Sequence, residues 1–143
     1  MTDKPTIADM MEAYAFDAVN HARSAKGVEL DFSIESVRHV ESILETMYDS
    51  KPKGFVSKLF SRGPSQQTID TFSKMYGAYI GEVLRRHSGG DWSLDPEFAA
   101  PTAIVCLKKG ESRLWPPAKV RKRLTNGPED NVWFYFHVIK DRW

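Results

Sequence analysis

Before residue 90, hydrophobic positions recur at three- and four-residue steps in three stretches, the pattern of amphipathic helices. Ile7, Met10, Met11, Tyr14, Ala18, Ala22 and Ala25 form one stripe over residues 6–26, and Gly27 offers a left-handed stop. Ser33 is a good N-cap for a second helix, whose seam of Val37, Val40, Leu44, Met47 and Tyr48 is broken by Pro52 and Gly54. From about Gln67 to His87, the residues Ile69, Phe72, Tyr76, Tyr79, Ile80, Val83 and Leu84 keep the helical period, and Gly89-Gly90 ends the run. Gly77 and Gly81 flank this third stripe and weaken the helix by about 1 kcal/mol each, so another backbone is expected close against that side.

Past the glycine pair the texture changes to short β-branched or aromatic runs separated by Pro and Gly: Trp92, Ala103 to Leu107, and Arg113-Leu114-Trp115. These predict a small antiparallel sheet, with Lys108-Lys109-Gly110-Glu111 as the turn joining its last two strands. Pro116-Pro117 starts a short helix with Val120 and Leu124 inward and Asn126-Gly127 closing it. The segment VWFYFHVI fits a strand by composition. Its Val132, Tyr135, Phe136, Ile139 and Trp143 also share one helical face, and Pro128, Glu129 and Asp130, read as an acidic first turn, favour the helix. The predicted fold is therefore α+β: three N-terminal amphipathic helices packed on a small antiparallel sheet, followed by one or two short C-terminal helices.

Composition narrows the class. The chain has 143 residues, 41% of them hydrophobic, with 20 Lys+Arg against 19 Asp+Glu, which fits one globular domain over residues 1–143. A single cysteine excludes an internal disulfide and fits a reducing compartment. Asp3, Asp9 and Glu12 interrupt the N-terminus where a secretory signal would be basic and then apolar. The longest apolar stretch, Val132 to Ile139, is broken by His137 and far below the roughly 20 residues of a membrane span, so a cytoplasmic location with no membrane partner is expected. Charge is laid out in blocks. Residues 1–50 hold 10 acidic and 4 basic side chains, residues 51–88 hold 2 and 7, and residues 89–143 hold 7 and 9, so intramolecular complementarity between the acidic helices and the basic middle stretch is expected.

No pattern of catalysis emerges. His21, His39, His87 and His137 lack metal-site spacing, and no Walker or G-x-G-x-x-G motif is present, so neither metal nor cofactor is expected. Cys106, between Val105 and Leu107, reads as a core thiol. His87-Ser88-Gly89-Gly90-Asp91 contains the residue types of a hydrolytic triad, but neighbours at a helix terminus diverge and the glycines read as a C-cap. Glu82, opposite the apolar stripe and without a second carboxylate, reads as solvated.

The strongest local bias is basic: Lys108, Lys109, Arg113, Lys119, Arg121, Lys122 and Arg123 against Glu111. Lys119, Lys122 and Arg123 would share the helix face opposite Val120 and Leu124, and with Arg113 and Trp115 they form the candidate binding set, suited to phosphates and a stacked base. A solvated helix face is the plainer alternative. A second surface, Lys51 to Arg62, carries Phe55, Val56, Leu59 and Phe60 among Lys53, Lys58 and Arg62, and reads as a short basic amphipathic piece covering the core or meeting a partner groove.

The tracts Lys53-Gly54-Phe55 through Leu59-Phe60 and Gly63-Pro64-Ser65, then Gly77 to Arg86 with Gly89-Gly90-Asp91-Trp92, and finally Pro116 to Val120 with Lys122 to Asp130, resemble a family of small uncharacterised bacterial proteins. The resemblance covers most of residues 30–140 and implies a bacterial cytoplasmic α+β domain, with no activity or site residue to carry over. The first functional reading is a non-enzymatic protein-binding domain of the immunity or adaptor kind, with another protein as partner. The alternatives are a nucleic-acid-associated module using residues 108–123 and an enzyme with a dispersed site.

Overall fold

The computed structural model describes residues 4–49, 65–95 and 105–143. Among these, five helices and a three-stranded antiparallel sheet make a mixed helix and sheet fold around one shared core. The Lys51 to Arg62 surface and the Ala103-Ile104 start of the predicted strand lie outside the described residues.

Helix α1, Ile7–Lys26, opens on a capping box in which the Thr6 hydroxyl accepts from Asp9 N–H and the Asp9 carboxylate accepts from Thr6 N–H, both at 3.0 Å. It stops at Gly27, whose φ of 65° is the left-handed cap predicted there. Its buried stripe runs through Met11, Ala15, Ala18, Val19 and Ala22, while Met10 and Ala25, predicted inward, face solvent. Helix α2, Ser36–Asp49, follows a tight opening turn in which the Ser33 hydroxyl accepts from Ser36 N–H at 3.1 Å, so Ser33 does cap. Helix α3, Gln66–Ser88, starts at Ser65, whose hydroxyl takes the Thr68 N–H at 3.1 Å, and ends at Gly89.

Every residue of α3 from Tyr76 to Leu84 is buried, which makes it the central helix. The alanines of α1 let that helix lie close on one side. The glycines admit neighbours on another: a Cβ at Gly77 would sit 2.3 Å from Pro117 Cα, and one at Gly81 would sit 2.2 Å from Trp92 Cη2. The close approach expected at these positions is thus present, by backbone at Gly77 and by an indole ring at Gly81.

Strands β1 Asp91–Leu94, β2 Val105–Lys109 and β3 Ser112–Leu114 pair in sequence order, with Trp92 opposite Leu107 and Leu107 opposite Leu114. The hairpin turn is Gly110-Glu111 alone, shorter than the predicted Lys108 to Glu111, because Lys108 and Lys109 pair with Arg113 and Ser112 as the end of β2. Helix α4, Pro116–Asn126, buries Val120 and Leu124 as predicted. Pro128–Asp130 form a separate 3-10 turn rather than the first turn of the last helix, because Asn131 caps α5, Val132–Ile139, by accepting from Phe134 N–H at 2.9 Å. Helix α2 packs against α4 and α5 instead of the sheet, which departs from three helices on one sheet. No helix among the described residues is long and apolar enough to cross a membrane.

Gly77→Ala forces a methyl into the Pro117 backbone, which cannot swing aside as a side chain can. It should lower stability by about 2 kcal/mol or more, measured by urea denaturation. Unchanged stability would show that α3 and α4 are not in this contact.

Candidate functional site

Glu82 is not solvated. Its side chain is 1% exposed, and both oxygens are taken: Oε2 accepts from Arg85 Nε at 2.6 Å and Trp92 Nε1 at 2.9 Å, and Oε1 accepts from Arg85 Nη2 at 3.0 Å and Arg86 Nε at 3.4 Å. Arg85 and Arg86 reach it because they stand three and four residues along the same helix. Trp92 reaches it because Gly89-Gly90 turns the chain back and Gly81 leaves room for the ring. Burial alone would raise the carboxyl, but the Arg85 and Trp92 hydrogen bonds and the two guanidinium charges outweigh it and hold its pKa below the ordinary carboxylate value. An ionised group with every acceptor direction filled serves as an anchor and has no free lone pair to take a proton from a substrate.

Arg123 also departs from its predicted place on an exposed face with Lys119 and Lys122. It is fully buried, its Nε donating to both Glu41 oxygens at 3.1 and 3.0 Å and its Nη2 to Glu41 Oε2 at 2.9 Å and to Glu45. Glu41 Oε1 also accepts from Val132 N–H at 2.9 Å, so one ionic cluster joins α2, α4 and α5. The physical reason is the acidic pair at i and i+4 on α2, which draws the basic helix inward at position 123. The charge layout predicts the acidic helices of residues 1–50 against the basic stretch 51–88, whereas these ion pairs join α2 to α4, in the segment after residue 88.

The other predicted binding residues are separated. Trp115 Nε1 donates to Asp95 Oδ2 at 2.8 Å, and Arg113 Nη1 lies 3.6 Å from Asp95 Oδ1, so these two meet at one buried carboxylate. Lys119 pairs with Asp130 at 3.1 Å, and Arg121 pairs with Asp70. Lys109 donates to the carbonyls of Ser88 at 2.6 Å and Trp143 at 3.0 Å. Lys122 faces solvent.

The candidate nucleophile and bases sit apart. Cys106 is buried, and burial followed by the Asp95 charge pushes its thiol up, which keeps it protonated. His21 Nδ1 lies 2.6 Å from the Tyr76 hydroxyl, and burial pushes the imidazole below its ordinary pKa. His87 Nε2 donates to the Phe32 carbonyl at 3.1 Å, and no hydrogen bond links His87, Ser88 and Asp91 among the described residues. Nor do these residues hold a group of three or more His, Cys, Asp or Glu that could bind a metal.

Two exposed aromatic features escape the sequence reading. On α5, Phe134 is 69% exposed, Val138 is one turn further on, and Arg38 lies 4.3 Å over the half-buried Trp133 ring. The signal was available: in VWFYFHVI the positions off the inward face are apolar too, more than an eight-residue surface helix can bury. Near the start of α2, Phe16, Phe32 and Arg86 cluster, with Arg86 Cζ 3.8 Å from the Phe32 ring centroid.

Glu82→Gln removes the charge that Arg85 and Arg86 share and should lower stability at pH 7 by about 2–3 kcal/mol. A carboxyl whose folded pKa is depressed stabilises fully above its unfolded value and loses that contribution as pH falls through its folded value. The gap between wild type and variant in urea denaturation should therefore close as pH drops below 4.5. A gap constant from pH 7 to pH 3 would show that the charge contributes nothing.

Compared with known proteins, the chain matches no family model, no curated protein and no solved structure.

Proposed function

We propose that this chain is a protein-binding domain of the adaptor or immunity kind, acting in the cytoplasm of a bacterium, and that the outer face of α5 is its contact surface. The observation that carries the reading is Phe134, at 69% the most exposed of the large hydrophobic side chains described. Val138 extends the apolar face by one turn, and Trp133 with Arg38 over its ring supplies the residue types that dominate binding energy at protein interfaces. His137, 5.6 Å from the Trp133 ring, gives it a polar border.

The internal use of charge supports the same reading. Glu82, Asp95 and Arg123 all take their partners from within the chain, Arg123 through Nε and Nη2 while its buried Nη1 makes no hydrogen bond among the described residues, which favours structural roles over acid-base or nucleophilic work. The nucleic-acid alternative retains Lys122 and Lys108 as outward cations. Arg113, Lys119, Arg121 and Arg123 engage carboxylates of their own chain, which leaves it less support.

Tagged full-length chain purified from its native cells should carry a stoichiometric protein partner. Phe134→Ser should weaken that complex about tenfold or more, in the range of a central aromatic contact, with the thermal transition unchanged because the side chain is exposed. Recovery of free monomer alone at near-physiological concentration, or an equally tight complex with the variant, would overturn the proposal.

A further inference from the structure

Phe32 is the only non-glycine residue among those described with a left-handed backbone, at φ 62°. A bulky side chain in that region is strained, and the conformation persists only where the surroundings over-determine it. Three contacts do so here. The Phe32 N–H donates to the Tyr79 hydroxyl at 2.8 Å, that hydroxyl lies 2.6 Å from the Ser36 hydroxyl, and Ser36 donates to the Ser33 carbonyl at 2.5 Å. Because Ser36 gives its proton to Ser33, Tyr79 must donate to Ser36 and accept from Phe32, so every proton along the chain is fixed. His87 Nε2 holds the Phe32 carbonyl from the other side.

What the strained residue presents is a ring beneath Arg86. The Arg86 guanidinium carbon lies 3.8 Å from the Phe32 centroid and 5.9 Å from that of Phe16, which is 44% exposed and meets Phe32 edge to face at 5.5 Å. Arg86 Nε turns inward to buried Glu82, whereas Nη1 and Nη2 make no hydrogen bond among the described residues and a third of the side chain is open to solvent. With its carbon held over a ring and Nε tethered, the guanidinium keeps Nη1 and Nη2 as a fork of the kind that takes a planar oxyanion through two parallel hydrogen bonds. Carboxylates surround the arginine pair, with Glu82 contacting both and Glu12 and Asp91 acting on Arg85, so the anion is held by the two directed Nη donors and not by a net positive field. The neighbouring Asp31 carboxylate is engaged by its own turn, accepting from Ser33 N–H at 3.0 Å.

We propose that Arg86, with Phe32 beneath it and Phe16 beside it, binds a carboxylate carried next to an aromatic or flat apolar group, the carboxylate on the two Nη donors and the apolar group on Phe16. This site does not depend on the α5 surface. A free aromatic acid and the carboxyl terminus of a protein ending in an aromatic residue offer the same chemistry.

The test is an NMR titration of the full chain with N-acetylphenylalanine, read at the Arg86 side-chain N–H and the Phe16 ring signals, beside N-acetylphenylalaninamide and a short peptide ending in phenylalanine. The acid should give saturable shifts, and the amide should bind about tenfold more weakly or worse. Arg86→Lys, which keeps the charge but loses the fork, should weaken the acid by a similar factor. Phe16→Ser should weaken it while leaving the thermal transition in place, and it decides the matter alone if Arg86→Lys fails to fold. Tighter binding of the peptide assigns a protein terminus as ligand, and tighter binding of the acetylated amino acid assigns a free acid. Equal binding of acid and amide, wild-type affinity in either folded variant, or no saturation by about 10 mM would overturn the proposal.

Discussion

A single carboxylate held inside the fold, Glu82, sets the arrangement around it. Taking an ionised carboxyl out of water is strongly unfavourable unless donors replace the lost hydration. Glu82 collects them from its own helix and from a strand ten residues on. That requirement fixes where Trp92 must lie, so β1 docks across α3 at Gly81 and the sheet follows by pairing from β1 through β3. It also fixes one nitrogen of Arg86, which leaves the rest of that guanidinium aimed outward over Phe32.

The Arg123 cluster applies the same constraint with the sign reversed. A buried guanidinium needs carboxylates, and Glu41 and Glu45 on α2 supply them, while Glu41 also satisfies the Val132 N–H at the start of α5. Two helices far apart in sequence are thereby held in one relative rotation. Ionic clusters of this kind are weak evidence for stability in themselves but restrict which packings are acceptable. With α4 turned to bury Arg123, the outward faces of α4 and α5 follow, and Phe134 is left on the outside.

The features legible in the sequence were those decided locally. The stop at Gly27, the Ser33 cap, the Gly89 stop, the Gly110-Glu111 turn and the Pro116 helix start depend on neighbouring residues, and their chemistry is readable over a few positions. Gly77 and Gly81 were readable because glycine in a helix interior is unfavourable without a close neighbour. What escaped was rotation and distant pairing. Glu82 reads as solvated on its own helix because its Trp92 partner comes from a strand ten residues on, and Arg123 reads as exposed because its carboxylates lie some 80 positions earlier. The candidate set Arg113, Trp115, Lys119, Lys122 and Arg123 does not form one surface, since Arg113, Lys119 and Arg123 are claimed by three different carboxylate sites and Lys122 faces solvent.

The account turns on Glu82 remaining ionised within the fold, and a carboxyl carbon-13 titration of that residue in the intact chain tests it most directly. The account predicts that the Glu82 carbon keeps its ionised shift to below pH 4.5 while the Trp92 indole proton stays hydrogen-bonded over the same range. A Glu82 carboxyl that takes up its proton at or above that pH, with the indole signal unaffected, would contradict it.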